Sequence, residues 1–114
     1  MEKEYKIREF DRSKIKLLSS IIDYFAKRLK LEAETWNENH GFKEKKTIEE
    51  LKNNFKEMEK KYTGLDEVTV KIAGKKQFLI YAVMHEDMCI VRVNEQTRKE
   101  LEKKFRIALL EGEK

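Results

Sequence analysis

The sequence predicts an α+β fold: a three-stranded antiparallel meander with an amphipathic helix on each side. Residues 66–94 contain three short stretches of strand character, joined by two tight polar turns. Apolar residues at helical spacing precede and follow this segment, so residues 47–111 read as helix, three strands and helix. We expect a single domain over residues 1–114, in which residues 1–46 add a strand, a long helix and a loop to a module at 47–114.

The N-terminal region is predicted from two different periodicities. Tyr5 and Ile7 alternate with charged residues, which is typical of a short strand at residues 4–9. Asp11 is a candidate cap for a helix over residues 12–36. Its apolar stripe is Ile15, Leu18, Ile22, Phe25 and Leu29. Trp36 extends the stripe by seven residues as a core anchor at the helix end, and the alternative is a binding hot spot. Residues 37–46 are polar and are predicted to form a loop.

The two helices of the module have recognisable starts. Thr47 and Glu50 have the spacing of a capping box, in which each side chain bonds the other residue's backbone. Asn94 or Thr97 is expected to cap the last helix. The apolar stripes are Ile48, Leu51, Phe55, Met58 and Tyr62 in the first of these helices, and Leu101, Phe105, Ala108 and Leu109 in the last. Residues 78–84 are almost continuously apolar, which indicates the central strand.

Composition limits the function classes only mildly. Lys and Arg number 26 against 22 Asp and Glu, and the formal net charge of +4 permits binding to nucleic acid or to an acidic surface. Cys89 is the only cysteine, which excludes an internal disulfide and favours a reducing, cytoplasmic location. The apolar runs are too short to cross a membrane, and the charged opening is not typical of a signal peptide.

Strand alternation predicts one open sheet face. Lys71 lies opposite the core-facing set of the first strand, and Arg92 lies opposite Cys89 and its apolar neighbours on the third. Tyr81 on the central strand is a candidate for the same face. Basic residues beside an aromatic side chain form a possible platform for nucleic acid. The alternatives are a solvated face and a face covered by the first long helix.

Residues 47–112 resemble the small Alu-domain subunits of the eukaryotic signal recognition particle. The similar strings are TIEEL at 47–51, DMCIVRV at 87–93 and LEKKFRIALL at 101–110. The resemblance implies a dimer with a continuous sheet, whose basic concave face grips folded RNA. By position, Lys71, Lys75, Lys76 and Arg92 would then face the RNA.

Two further resemblances compete with this one. The meander and last helix are similar to the C-terminal half of roadblock and longin-type domains, which bind small GTPases or dimerise. Those domains need a strand hairpin between the first two helices, and residues 37–46 look too short and polar to form it. The opening of the chain is similar to the start of many acetyltransferases, but the glycine-rich loop that cradles coenzyme A is missing.

We therefore expect a non-catalytic module that binds structured RNA through Lys71, Lys75, Lys76, Tyr81 and Arg92. The alternative is a protein-interaction or dimerisation domain that regulates or inhibits a larger partner. Neither hypothesis requires a cofactor or a metal. A homodimer is expected because a three-stranded sheet leaves two edges free to pair.

Overall fold

Across the residues that the structure describes, 2–75 and 77–111, seven antiparallel strands form one sheet and three helices cover one of its faces. The structure is a computed structural model. Along the sheet the strands lie in the order β3-β2-β4-β5-β6-β1-β7. The expected α+β class is present, but the sheet is larger than the three strands that the sequence predicts.

The element bounds define the labels used below. The strands are β1 (Glu2–Ile7), β2 (Leu31–Asn37), β3 (Lys43–Lys46), β4 (Leu65–Ile72), β5 (Phe78–Val83), β6 (Met88–Asn94) and β7 (Leu109–Glu111). The helices are α1 (Ile15–Ala26), α2 (Ile48–Met58) and α3 (Glu95–Phe105). Short 3-10 turns lie at Arg12–Lys14 and Met84–Glu86.

The hydrophobic core lies between the helices and the inner face of the sheet. Its strand residues alternate, as in Val68 and Val70 of β4 or Cys89, Val91 and Val93 of β6. All three helices contribute to this one cluster through Ile15, Leu18, Ile21, Ile22, Phe25, Leu51, Phe55 and Leu101. Helix α1 contacts both α2 and α3. Among the described elements, no helix is therefore left to cover the outer face of the sheet.

The helix starts of the module agree with the sequence. Thr47 accepts a hydrogen bond from the Glu50 backbone, and Glu50 accepts one from the Thr47 backbone, each at 3.1 Å. Asn94 caps α3 by accepting a hydrogen bond from the Thr97 backbone at 2.8 Å. Strand β5 lies in the middle of the sheet, between β4 and β6. These three strands are the centre of a larger sheet, because β2 and β1 extend it on either side.

The predicted helix over residues 12–36 is wrong in its second half. Helix α1 ends at Ala26, and Leu31–Asn37 form strand β2. Leu29, taken as part of the apolar stripe, is 38% exposed. The residues after it change to a period of two, which places Ala33 and Thr35 on the buried face. Trp36 belongs to this strand, half-buried, and is not an anchor at a helix end.

The predicted loop at 37–46 contains a strand. Lys43–Lys46 form β3, which pairs with β2 as an antiparallel hairpin. Its sequence, KEKK, has no apolar alternation that would predict a strand. A hairpin thus lies between α1 and α2, so the expectation that none fits there is wrong. Its first strand comes from residues 31–37, most of which the sequence assigned to the helix.

The last helix is shorter than its apolar stripe suggested. It ends at Phe105, and Arg106 caps it in the left-handed region at φ 54°. Leu109 belongs to the following strand β7, which pairs with β1. The string LEKKFRIALL is therefore helical only in its first half.

Both edges of the central three strands are occupied by strands of the same chain. Strand β2 pairs with β4, and β1 pairs with β6. The two edges that were expected to pair with a second copy are therefore already occupied within the chain. In the described part of the chain, no helix is long and apolar enough to cross a membrane.

Candidate functional site

The outer face of the sheet carries the residues that the sequence singled out. Strand pairing places Lys71 on β4, Tyr81 on β5 and Arg92 on β6, all on the face opposite Val70, Ile80 and Val91. Lys75 lies exposed in the turn between β4 and β5. Lys76, also predicted to contact RNA, falls outside the described residues.

The outer face is balanced in charge. Its basic residues are Lys6, Lys43, Lys45, Lys71 and Arg92, and its acidic residues are Glu2, Glu4, Glu32, Glu34 and Glu67, equal in number. The chain's formal net charge of +4 therefore comes from elsewhere. A neutral face gives little long-range attraction for a phosphate backbone.

The predicted contact residues have acidic neighbours. The Lys71 ammonium lies 3.9 Å from the Glu32 carboxylate on β2. The Tyr81 hydroxyl donates to Glu67 at 2.5 Å, a bond that raises the pKa of Tyr81 to about 12. Arg92 pairs across the strands with Glu4, and its buried Nε has no hydrogen-bond partner among the described residues.

An apolar strip runs through the middle of the outer face. It consists of Phe78, Tyr81 and Val83 on β5 together with Met88 and Ile90 on β6. Val83 is buried, and the other four are half-buried. The charged residues lie on the flanking strands. An apolar centre with a charged rim is typical of protein interfaces.

A basic cleft lies elsewhere, where the start of α1 and the end of α3 lie beside the residues that follow β1 and precede β7. Its volume is about 400 Å³, and its lining residues are Arg8, Glu9, Lys14, Leu17, Phe105, Arg106, Ile107 and Ala108. We call this site the basic cleft. Arg8 and Arg106 are exposed, and the Lys14 ammonium donates to the Arg8 carbonyl at 3.0 Å. Within the described chain, none of these three cations forms an ion pair.

Next to the basic cleft, the surface where α1 and α3 pack together also carries cations and aromatic rings, and we call it the α1–α3 groove. The Tyr24 ring packs edge-on against Phe105, with their centroids 5.9 Å apart. The Arg28 guanidinium lies 4.4 Å from the Tyr24 centroid, and the Lys104 ammonium lies 5.2 Å from it. Glu100 is the acid here, and it contacts both Tyr24 and Arg28. Cations around aromatic rings are typical of surfaces that bind nucleic acid.

Two walls of the basic cleft have an uncommon backbone conformation. Glu9 has φ 56° and Arg106 has φ 54°, in the left-handed region that non-glycine residues rarely adopt. Such residues persist where the surrounding structure holds them, and they concentrate at functional sites. The Arg8 backbone donates to the Ala108 carbonyl at 3.0 Å, which fixes the two walls to each other.

Sequence reasoning missed the basic cleft because its residues are distant in the chain. Arg8 and Lys14 precede α1, whereas Arg106 follows α3. The pairing of β7 with β1 and the packing of α1 on α3 bring them together. The one local indication of this site is the segment 8–14, which contains three basic residues but from which only the cap at Asp11 was predicted.

The fold and these surfaces define an α+β protein with one antiparallel sheet, a helical layer on one face and two candidate binding surfaces. Comparison of the chain with protein-family models, with curated proteins and with solved structures gave no match.

Proposed function

We propose that the protein is a non-catalytic module that binds structured RNA, and that the basic cleft holds the phosphate backbone. The observation that carries this proposal is the cleft itself: Arg8, Lys14 and Arg106 surround a concave site without compensating ion pairs in the described chain. Guanidinium groups bind phosphate oxygens with two parallel hydrogen bonds. The α1–α3 groove beyond it supplies further cations and an exposed path for the chain of phosphates.

The outer sheet face, predicted from the sequence as the RNA contact surface, is less suited to RNA than the basic cleft. Lys71 and Arg92 have nearby acids on the same face, so a phosphate placed there meets repulsion as well as attraction. The cations of the basic cleft have one acidic neighbour in the lining, Glu9. The helix side of the molecule is therefore the better site for a polyanion.

The salt dependence of RNA binding tests the proposal. A fluorescently labelled RNA hairpin with an unpaired loop is titrated by anisotropy from about 50 mM to about 300 mM salt. Three phosphate contacts predict that the logarithm of the affinity falls with a slope of about −2 to −3 against the logarithm of salt concentration. Affinity that is independent of salt, or no binding at about 50 mM, would contradict the proposal.

The outer sheet face favours a second function, docking of a protein. Its apolar strip is rimmed by balanced charges, which is the anatomy of a protein interface rather than of a phosphate-binding surface. A second copy of the chain is the simplest partner, and this would keep the expected homodimer while moving its contact from strand edges to a sheet face. Sedimentation equilibrium at micromolar concentration should then show a dimer for the wild type and a monomer for Ile90→Glu. A monomeric wild type would show that this face does not bind a second copy of the chain.

A further inference from the structure

A second cavity lies at the end of the sheet where β2 ends and β4 begins. Its volume is about 380 Å³, within the range of small-molecule sites. The lining side chains are Arg12, Trp36, Glu38, Tyr62, Asp66 and His85. We call it the aromatic pocket. It combines aromatic rings, carboxylates and basic groups, and neither of the surfaces discussed above includes it.

Asp66 is the buried polar group of the aromatic pocket. The residue is 5% exposed. One carboxylate oxygen, Oδ2, accepts a hydrogen bond from the Glu38 backbone at 2.9 Å. No other donor to this carboxylate is found in the described chain, and a buried carboxylate is costly unless donors surround it. The group is thus placed to accept hydrogen bonds from a ligand.

The rings of the pocket favour a flat ligand. Trp36 is half-buried, and Tyr62 is 58% exposed. The Arg12 guanidinium already lies 5.1 Å from the Tyr62 centroid, and the Tyr62 hydroxyl donates to Glu38 at 2.9 Å. Unpaired bases stack on aromatic rings and on guanidinium planes while their edges form hydrogen bonds.

The charges of the aromatic pocket bear on whether its ligand is a cationic side chain or a neutral aromatic ring. The carboxylates of Glu38 and Asp66 attract a cation. However, Arg12 already occupies the cation position beside Tyr62, so a partner's lysine or arginine there would also meet a like charge. A guanine base is neutral and presents two adjacent N–H donors, N1–H and the 2-amino group. That pair matches the carboxylate of Asp66.

We propose that the aromatic pocket binds the guanine base of an unpaired nucleotide, with Asp66 accepting from its N–H edge and Trp36 stacking on its ring. This inference rests on the proposed function. The segment 8–14 links the two sites, because it supplies Arg8 and Lys14 to the basic cleft and Arg12 to the aromatic pocket. An RNA loop held by its phosphates in the cleft would then place a base in the pocket.

Trp36 gives a direct measurement, since it is the only tryptophan in the chain. We expect guanosine monophosphate to quench its fluorescence saturably. Inosine monophosphate, which lacks the 2-amino group, should bind about tenfold more weakly, because one hydrogen bond of the pair is lost. Adenosine and cytidine monophosphates should bind more weakly still. Equal quenching by all nucleotides, no quenching, or equally strong quenching by methylguanidinium, as a stand-in for a protein arginine, would overturn the inference.

A pair of variants separates this pocket from the basic cleft. Asp66→Asn keeps an acceptor for the Glu38 backbone but lacks the charge, and it should weaken guanosine monophosphate binding at least about tenfold. Glu86→Gln is the matched control, an exposed carboxylate outside the pocket lining that should leave binding unchanged. Thermal melting checks that both variants fold. If Asp66→Asn does not fold, the nucleotide preference of the wild type still tests whether the pocket binds guanine. Guanine selectivity without salt-dependent RNA binding would refute the proposed function alone, whereas salt-dependent RNA binding without guanine selectivity would refute this inference alone.

Discussion

Charge reversal in the basic cleft should abolish most RNA binding. The variant Arg8→Glu with Arg106→Glu replaces two exposed guanidinium groups that form no ion pair within the described residues. Each charge-assisted hydrogen bond contributes about 1.5–3 kcal/mol, so losing two should weaken binding at least about a hundredfold at about 50 mM salt. The added repulsion increases the loss. Anisotropy titrations with the labelled hairpin measure it.

The matched control reverses the same number of charges on the outer sheet face. Lys71→Glu with Arg92→Glu changes the net charge equally, but both positions already have acids beside them. We expect less than about a threefold loss of RNA affinity, since this face contributes little potential. Equal losses in the two double variants would mean that binding follows net charge, and a larger loss from the sheet pair would restore the surface predicted from the sequence. Circular dichroism confirms that each variant is folded.

The largest expected effect on stability comes from Ile22→Ala. Ile22 is fully buried on α1, the helix that contacts both of the others. Removing a buried isoleucine side chain leaves a cavity and typically costs about 2–5 kcal/mol. Urea unfolding should therefore show a lower midpoint with an unchanged slope.

Leu29→Ala is the control for that measurement. The sequence placed Leu29 on the same apolar stripe, but it lies beyond the end of α1 and is 38% exposed. Its substitution should cost less than about 1 kcal/mol. A loss equal to that of Ile22→Ala would indicate that the helix continues past Ala26 and that the strand assignment of β2 is wrong.

Local patterns predicted the elements that have local causes. The capping box at Thr47 and the cap at Asn94 depend on residues within one turn, so the sequence is sufficient to locate them. The strands β4 and β6 alternate because one side of each faces a single core. For the same reason, the sequence places Lys71 and Arg92 on one face, and the strand pairing agrees.

The remaining errors come from long-range pairing. Strand β3 exists because β2 offers it hydrogen bonds, and the KEKK sequence carries no apolar signal of its own. Leu29 and Trp36 happen to fall at the spacing of the α1 stripe, although α1 ends at Ala26 and Trp36 lies in strand β2, where the period is two. Without β1 and β2 beside the central strands, the acids opposite Lys71 and Arg92 could not be foreseen, and neither could the meeting of Arg8 with Arg106.

The most direct measurement is the map of backbone amide shifts when the RNA hairpin is added to isotope-labelled protein. We expect the amides that shift most to lie at residues 8–17 and 105–108, where the lining of the basic cleft is found. Smaller shifts are expected around Tyr24 and Lys104 along the α1–α3 groove. Shifts concentrated at Lys71, Tyr81 and Arg92, with the cleft unchanged, would contradict the account.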